Sequence, residues 1–221
     1  MNDYTAFRDA IKDYFAKRGI EFEIESTLKE SSKNDQASSY LYTGSMSDFQ
    51  VISMDALAQM GYHKIRVVKD VSEVQNAERE INVNTVDAFM IDINREWFFI
   101  EFKDCKISSK KDNIEKKGMA NWLMLMDIFF EMGVESCKGI LDLLNPFEFS
   151  RKHITYIVVC SKEKDPYTWE QVRNFEKVNE HYTPKCLYKF KYFFFKDAYA
   201  YTTEFFEERL IKKHSFQSLC D

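Results

Sequence analysis

The chain has 221 residues, 45% of them hydrophobic, 16% aromatic and 30% charged, with only six glycines and three prolines. That composition excludes a disordered or fibrous chain and argues against a barrel of many short strands joined by Gly/Pro turns; helices around a modest sheet fit it better. A formal net charge of −5 gives no broadly basic surface for nucleic acid, so charge has to be read locally.

Tyr4, Phe7, Ile11, Tyr14 and Phe15 recur at helical spacing and predict an amphipathic helix over 4–18, stopped at Gly19. The first ten residues carry acids and no apolar run, so a cytoplasmic location is expected. Residues 20–24 alternate like a short strand, and 26–39 are polar and read as an exposed connection. Phe49, Ile52, Met54, Leu57 and Met60 predict a helix over 48–60, ended by Gly61, with a strand over 64–68. The clearest strand pair is 86–93 and 97–102, apolar on both faces, with Asn94 and Arg95 at the turn. A long helix is expected over 113–132; Asn121, Asp127 and Glu131 interrupt its apolar surface, so it is not a membrane span and no membrane partner is expected. Residues 154–160 form a continuous apolar run suited to a central strand, which makes the preceding helix a crossover. Thr168-Trp169-Glu170-Gln171 reads as a capping box opening a further helix, 187–195 as an aromatic strand, and 203–213 as a last helix. The order is mixed α/β with no internal repeat.

Several chemistries find no support. The five cysteines, 105, 137, 160, 186 and 220, lack a Cys-x-x-Cys pair and fit reduced thiols without a zinc framework. His63, His153, His181 and His214 are scattered, and neither a Gly-x-Gly-x-x-Gly nor a Gly-Lys-Ser/Thr phosphate loop occurs. Charge, by contrast, is segregated. Residues 70–101 hold eight acids against Arg79 and Arg95, a balance of −6, whereas 103–117 hold six lysines against Asp104, Asp112 and Glu115, a balance of +3.

At the junction of these segments stand Asp87 on one predicted strand and Glu101-Phe102-Lys103 at the end of the next. Alternation places Glu101 and Lys103 on one face and Phe102 on the other. If Asp87 shares that face, two carboxylates converge on one hard cation, a donor set suited to Mg²⁺ or Mn²⁺. Register decides this. A two-residue Asn94-Arg95 turn would oppose Asp87 to Phe102 and turn it away, whereas a three-residue loop centred on Asn94 or Arg95, or a bulge, would oppose it to Glu101 or Lys103.

Asp87, then Glu101-x-Lys103 across a hairpin, then a lysine-rich loop and a helix resembles the PD-(D/E)XK nuclease superfamily. The resemblance implies a restriction-endonuclease-like fold, a mixed central β-sheet flanked by helices with an αβββαβ core. That core would span 46–161, with an N-terminal extension over 1–45 and a helix-strand-helix addition over 162–221. It also implies hydrolysis of nucleic-acid phosphodiesters, DNA ahead of RNA, with Asp87, Glu101 and the main-chain carbonyl of Phe102 as metal ligands and Lys103 acting on the attacking water. Val86 stands where the family's fullest pattern has proline, and Asp55 is, on position alone, the candidate for an additional acidic ligand. An inactive relative that binds nucleic acid or a protein partner is the alternative, and a homodimer would supply two sites for two strands. Lys106, Lys110, Lys111, Lys116 and Lys117 are candidates for phosphate contact. The stretch from Lys185 to Lys196 interleaves lysines with aromatic rings, as base-stacking surfaces do, though a strand with one core face and one solvent face explains the pattern as well. Asp92 and Asp104 read as surface or turn acids.

Overall fold

The apolar stripe of the first helix behaves as its spacing predicts: α1 (Asp3–Ala16) buries Tyr4, Phe7, Ile11, Tyr14 and Phe15. It lies over a sheet that the computed structural model builds from six strands, the described residues being 3–34, 38–66, 83–138, 140, 145–178 and 180–214. These are β1 (Glu25–Thr27), β2 (Gln50–Ser53), β3 (Ala88–Ile91), β4 (Trp97–Lys103), β5 (Ile154–Cys160) and β6 (Asp197–Thr202), side by side in chain order. β1 to β4 run antiparallel to their neighbours, while β4–β5 and β5–β6 are parallel. The parallel half demands crossovers. α3 (Lys111–Met132), followed by α4 (Pro146–His153), makes the first, and α5 (Pro166–Glu176) opens the second. All seven residues of β5 are buried, as its unbroken apolar sequence requires of a strand covered on both faces.

Alternation along β4 divides the core. Trp97 meets Phe7 of α1 and Phe129 of α3 on one face, whereas Phe98 packs on His214 and Phe102 on Tyr42 and Phe206 on the other. The molecule is thus a mixed α/β fold, a six-stranded mixed sheet flanked by helices. Both terminal segments belong to this sheet, since they supply its edge strands β1 and β6.

Several predicted elements shift. The first strand begins at Glu25 rather than Ile20. The polar stretch 26–39 holds a helical turn, Leu28–Ser31, capped by Thr27, and a small ribbon pairing Lys33–Asn34 with Ser39–Tyr40. Residues 50–53 of the predicted helix are a strand, because β-branched Val51 and Ile52 fill a buried pleat and Ser53 then caps the helix that follows. That helix, α2, runs without a break through Met54–Ala56, Leu57–Tyr62 and His63–Arg66, so Gly61 does not end it and 64–66 are not a strand; Val67 and Val68 lie outside the described residues. α5 starts before the expected capping box: Asp165 accepts the Thr168 N–H at 3.1 Å and Pro166 takes the first helical position. The aromatic segment 187–195 is helical instead of extended. Its turns, Lys185–Leu187 and Phe190–Phe194, bury Cys186, Leu187 and Phe190 inward, and the strand follows at 197–202.

The β3–β4 turn is decided by one buried acid. The Asp92 N–H donates to Glu96 O at 3.0 Å, which leaves a three-residue loop with Arg95 in the left-handed region (φ 66°). The Asp92 carboxylate accepts the Asn94 and Glu96 amides, both at 2.8 Å, and pairs with His214 Nδ1 at 2.9 Å. It is a turn acid, as expected, but a buried one. Burial alone would raise its pKa, yet His214 and the two amides hold it below the ordinary 3.8. Asp92→Ala is therefore expected to cost about 2–4 kcal/mol at neutral pH, since two amides and an imidazole lose their acceptor. A depressed carboxylate stabilises above its unfolded pKa and stops doing so as pH falls through its folded value. Urea unfolding of wild type and variant should thus converge below about pH 4; a gap that stays constant from pH 7 to 3 would refute this role.

Candidate functional site

Because the loop has three residues, Ala88 faces Ile100 and Ile91 faces Trp97, and continuing the ladder one step sets Asp87 opposite Glu101. The favourable register is the one adopted. At this step the Asp87 N–H turns onto Ile100 O at 3.0 Å, and its carboxylate reaches across to accept the Phe102 N–H at 2.6 Å. The Phe102 amide thus acts as a donor that orients Asp87.

Helix α3 closes the site from above. The Tyr156 hydroxyl donates to Ile114 O at 3.0 Å, and Gly118 lets the helix settle on the sheet: a Cβ there would lie 2.7 Å from Phe190 Cζ and 2.8 Å from Tyr156 Cε1. The close approach lowers Lys117 onto the acids. Lys117 Nζ lies 3.1 Å from Asp87 Oδ1, 2.9 Å from Glu101 Oε1 and 3.0 Å from Glu101 Oε2. Lys103 Nζ contacts the same Glu101 carboxylate and lies 3.4 Å from Asn113 Oδ1. Side-chain exposure is 0% for Glu101, 13% for Lys103, 14% for Lys117 and 18% for Asp87. The four formal charges cancel in a site almost closed to water, the condition under which buried ions are tolerated.

Burial dominates the titration of the acids. It raises the Asp87 pKa against the pull of Lys117 and Lys103, and it raises Glu101 to about 7, with the Asp87 charge adding to the shift. Burial opposes charge on Lys117, but Asp87 and Glu101 outweigh it and keep the ammonium protonated. The lysines draw both carboxyls toward the ionised form, but burial outweighs them and each stays above its ordinary pKa.

The other expected residues fall elsewhere. Asp55 is exposed at the start of α2 and accepts a hydrogen bond from Thr85. Among the described residues no group of three or more His, Cys, Asp or Glu side chains is placed to hold a metal. Lys106, Lys110, Lys111 and Lys116 are exposed. Lys110, Lys111 and Lys116 line an open cavity of about 350 Å³ with Asn84, Ser108, Ser109, Asp112 and Asn113. Lys117 separates from this group: it is a member of the charge cluster, not a solvated lysine. Its place beside the acids was hidden in a lysine-rich run, where only the helical offset from Asn113 (i, i+4) distinguishes it. Asp104 is bound to Asn34 at 2.7 Å, and the Ile107 N–H is held by buried Asp165 at 2.8 Å, which fixes the loop after β4. In the segment from Lys185 to Lys196, Tyr188, Tyr192 and Phe193 are exposed, while Lys189, Lys191 and Lys196 pair with Glu115, Asp197 and Glu96.

Cys105, Cys137, Cys160 and Cys186 are free thiols. Among the described residues no helix is long and apolar enough to cross a membrane. No family model, curated protein or solved structure matches the chain.

Proposed function

We propose that the protein is a metal-dependent nuclease of restriction-endonuclease-like fold, hydrolysing nucleic-acid phosphodiesters, DNA ahead of RNA, through Asp87, Glu101 and Lys103. The observation that carries this reading is the register, which brings two carboxylates from adjacent strands together with a lysine on the Glu101 face. The residues fit a hard cation. Both acids already converge on a single positive centre, Lys117 Nζ, so the same oxygens can converge on Mg²⁺ or Mn²⁺. A divalent ion held by Asp87 and Glu101 would supply charge neutralisation for the phosphate and acidify water. Lys103 would hold the attacking water by a hydrogen bond as the water oxygen adds to phosphorus, the ester P–O bond breaks and the proton lost by the water ends on the leaving oxygen. The exposed lysines around the neighbouring cavity would hold flanking phosphates. A symmetric dimer would present two such sites to a duplex.

A second reading has its own support. Lysine nitrogens already satisfy both acids, and a cluster so neutralised also suits an inactive module that binds nucleic acid or a protein. Cleavage separates the two. Plasmid, single-stranded DNA and structured RNA are incubated with Mg²⁺ or Mn²⁺ and wild type, Lys103→Ala or Asp87→Ala. Metal-dependent cutting by wild type, reduced at least about 100-fold in both variants, is the expected result. Equal silence of three folded proteins on every substrate would favour the binding module.

A further inference from the structure

The cluster contains one more lysine than the proposed chemistry uses. Lys103 touches Glu101 and Asn113, but Lys117 alone bridges both acids, with nitrogen–oxygen distances of 2.9 to 3.1 Å. We propose that Lys117 is a tethered cation that holds the point of convergence between Asp87 and Glu101 until a divalent ion takes the same oxygens and displaces it. This rests on Asp87 and Glu101 being metal ligands.

Charge and space both require the displacement. With Lys117 and Lys103 in place the cluster is neutral, so adding a divalent ion without moving a lysine leaves +2 in a site whose central carboxylate has no exposure. Two cations sharing the same carboxylate oxygens at contact distance also repel each other strongly in a poorly hydrated site. Lys117 is the one able to leave. It stands in the early turns of α3, its side chain keeps 14% exposure, and one helical turn before it Asn113 lines the open cavity that Lys116 also borders. A swing of its four-carbon stem carries the ammonium toward that cavity and solvent while the stem stays packed. Lys103 lies on the strand itself and remains beside Glu101. In the metal-free protein Lys117 holds the two carboxylates together, at the expense of lower affinity for the ion.

The test uses the whole protein and two readouts other than activity. Mn²⁺ binding is measured by calorimetry on wild type, Lys117→Met and Lys103→Met, with thermal melts to show that each is folded. In parallel, wild type is treated with acetic anhydride with and without Mg²⁺, and acylation of each lysine is read by mass spectrometry. Lys117→Met is expected to bind Mn²⁺ at least tenfold more tightly than wild type, and Lys103→Met is not. In wild type, acylation of Lys117 is expected to rise severalfold with Mg²⁺ while Lys106 and Lys110 stay unchanged, a result that does not depend on the variant folding. Equal or weaker Mn²⁺ binding by folded Lys117→Met, or Lys117 labelling that ignores saturating Mg²⁺, overturns the inference and leaves the ligand assignment standing. No Mn²⁺ uptake by any of the three proteins instead removes the ligand assignment, and the inference with it.

Discussion

Glu101→Gln is expected to abolish Mg²⁺-dependent cleavage, by about 10³-fold or more, in a protein that still folds. An amide keeps the shape of the side chain but offers one neutral oxygen in place of a carboxylate, so the charge that would hold a hard cation is lost. Folding should survive because Glu101 is fully buried and burial already raises its pKa to about 7, so the neutral form that glutamine imitates is not foreign to the site. Asp87 remains to pair with Lys117 at 3.1 Å. The measurement is turnover of the best substrate under saturating Mg²⁺, beside far-UV circular dichroism and a thermal melt. Cleavage undiminished in purified, folded Glu101→Gln would show that the activity does not arise at this site.

The second large effect concerns stability. Trp97→Ala is expected to cost about 3–5 kcal/mol, a large part of the roughly 5–15 kcal/mol that holds a domain together. Trp97 is 1% exposed and joins four elements. Its ring meets Phe7 of α1 at 5.5 Å, Phe89 of β3 at 5.1 Å, Phe149 of α4 at 4.9 Å and Phe129 of α3 at 6.3 Å between centroids. Removing the indole opens a cavity that four separate backbones would have to move to fill. Trp97 and Lys103 stand at opposite ends of β4, roughly 20 Å apart at strand rise, so the folded fraction should retain the proposed cleavage at low temperature. Urea unfolding checks the first point and single-turnover cleavage at 15 °C the second. A loss below about 1 kcal/mol would mean that the aromatic cluster is not the joint between these elements.

What was legible in the sequence follows from how much of each signal is local. Residues 154–160 announced themselves because a strand buried on both faces is an unbroken apolar run, and 97–102 because Glu101 alone interrupts one. Glu101 and Lys103 shared a face by alternation alone, but Asp87 could be placed only once the Asp92–Glu96 closure fixed the loop length. Asp92 then proved decisive through three hydrogen bonds that a linear reading does not display. The aromatic stretch 187–195 misled because Tyr and Phe favour strands on average, while the buried set Cys186, Leu187 and Phe190 follows the helical period. Lys117 reads in the sequence as one more candidate for phosphate contact, since nothing in the chain tells that α3, seated on Tyr156 through Gly118, lowers that one side chain into the acid pair.

The sheet's outer margins bear on whether its strands can template on one another. β1 has only three residues, and along β6 the Ala200 N–H is already taken by Tyr182 O at 2.9 Å, so a neighbouring segment lies against that margin. A short margin on one side and a covered one on the other are features by which β-proteins avoid templating on one another. Despite a buried core as aromatic as this one, the edges of the sheet therefore present little free backbone for strand-to-strand polymerisation among the described residues.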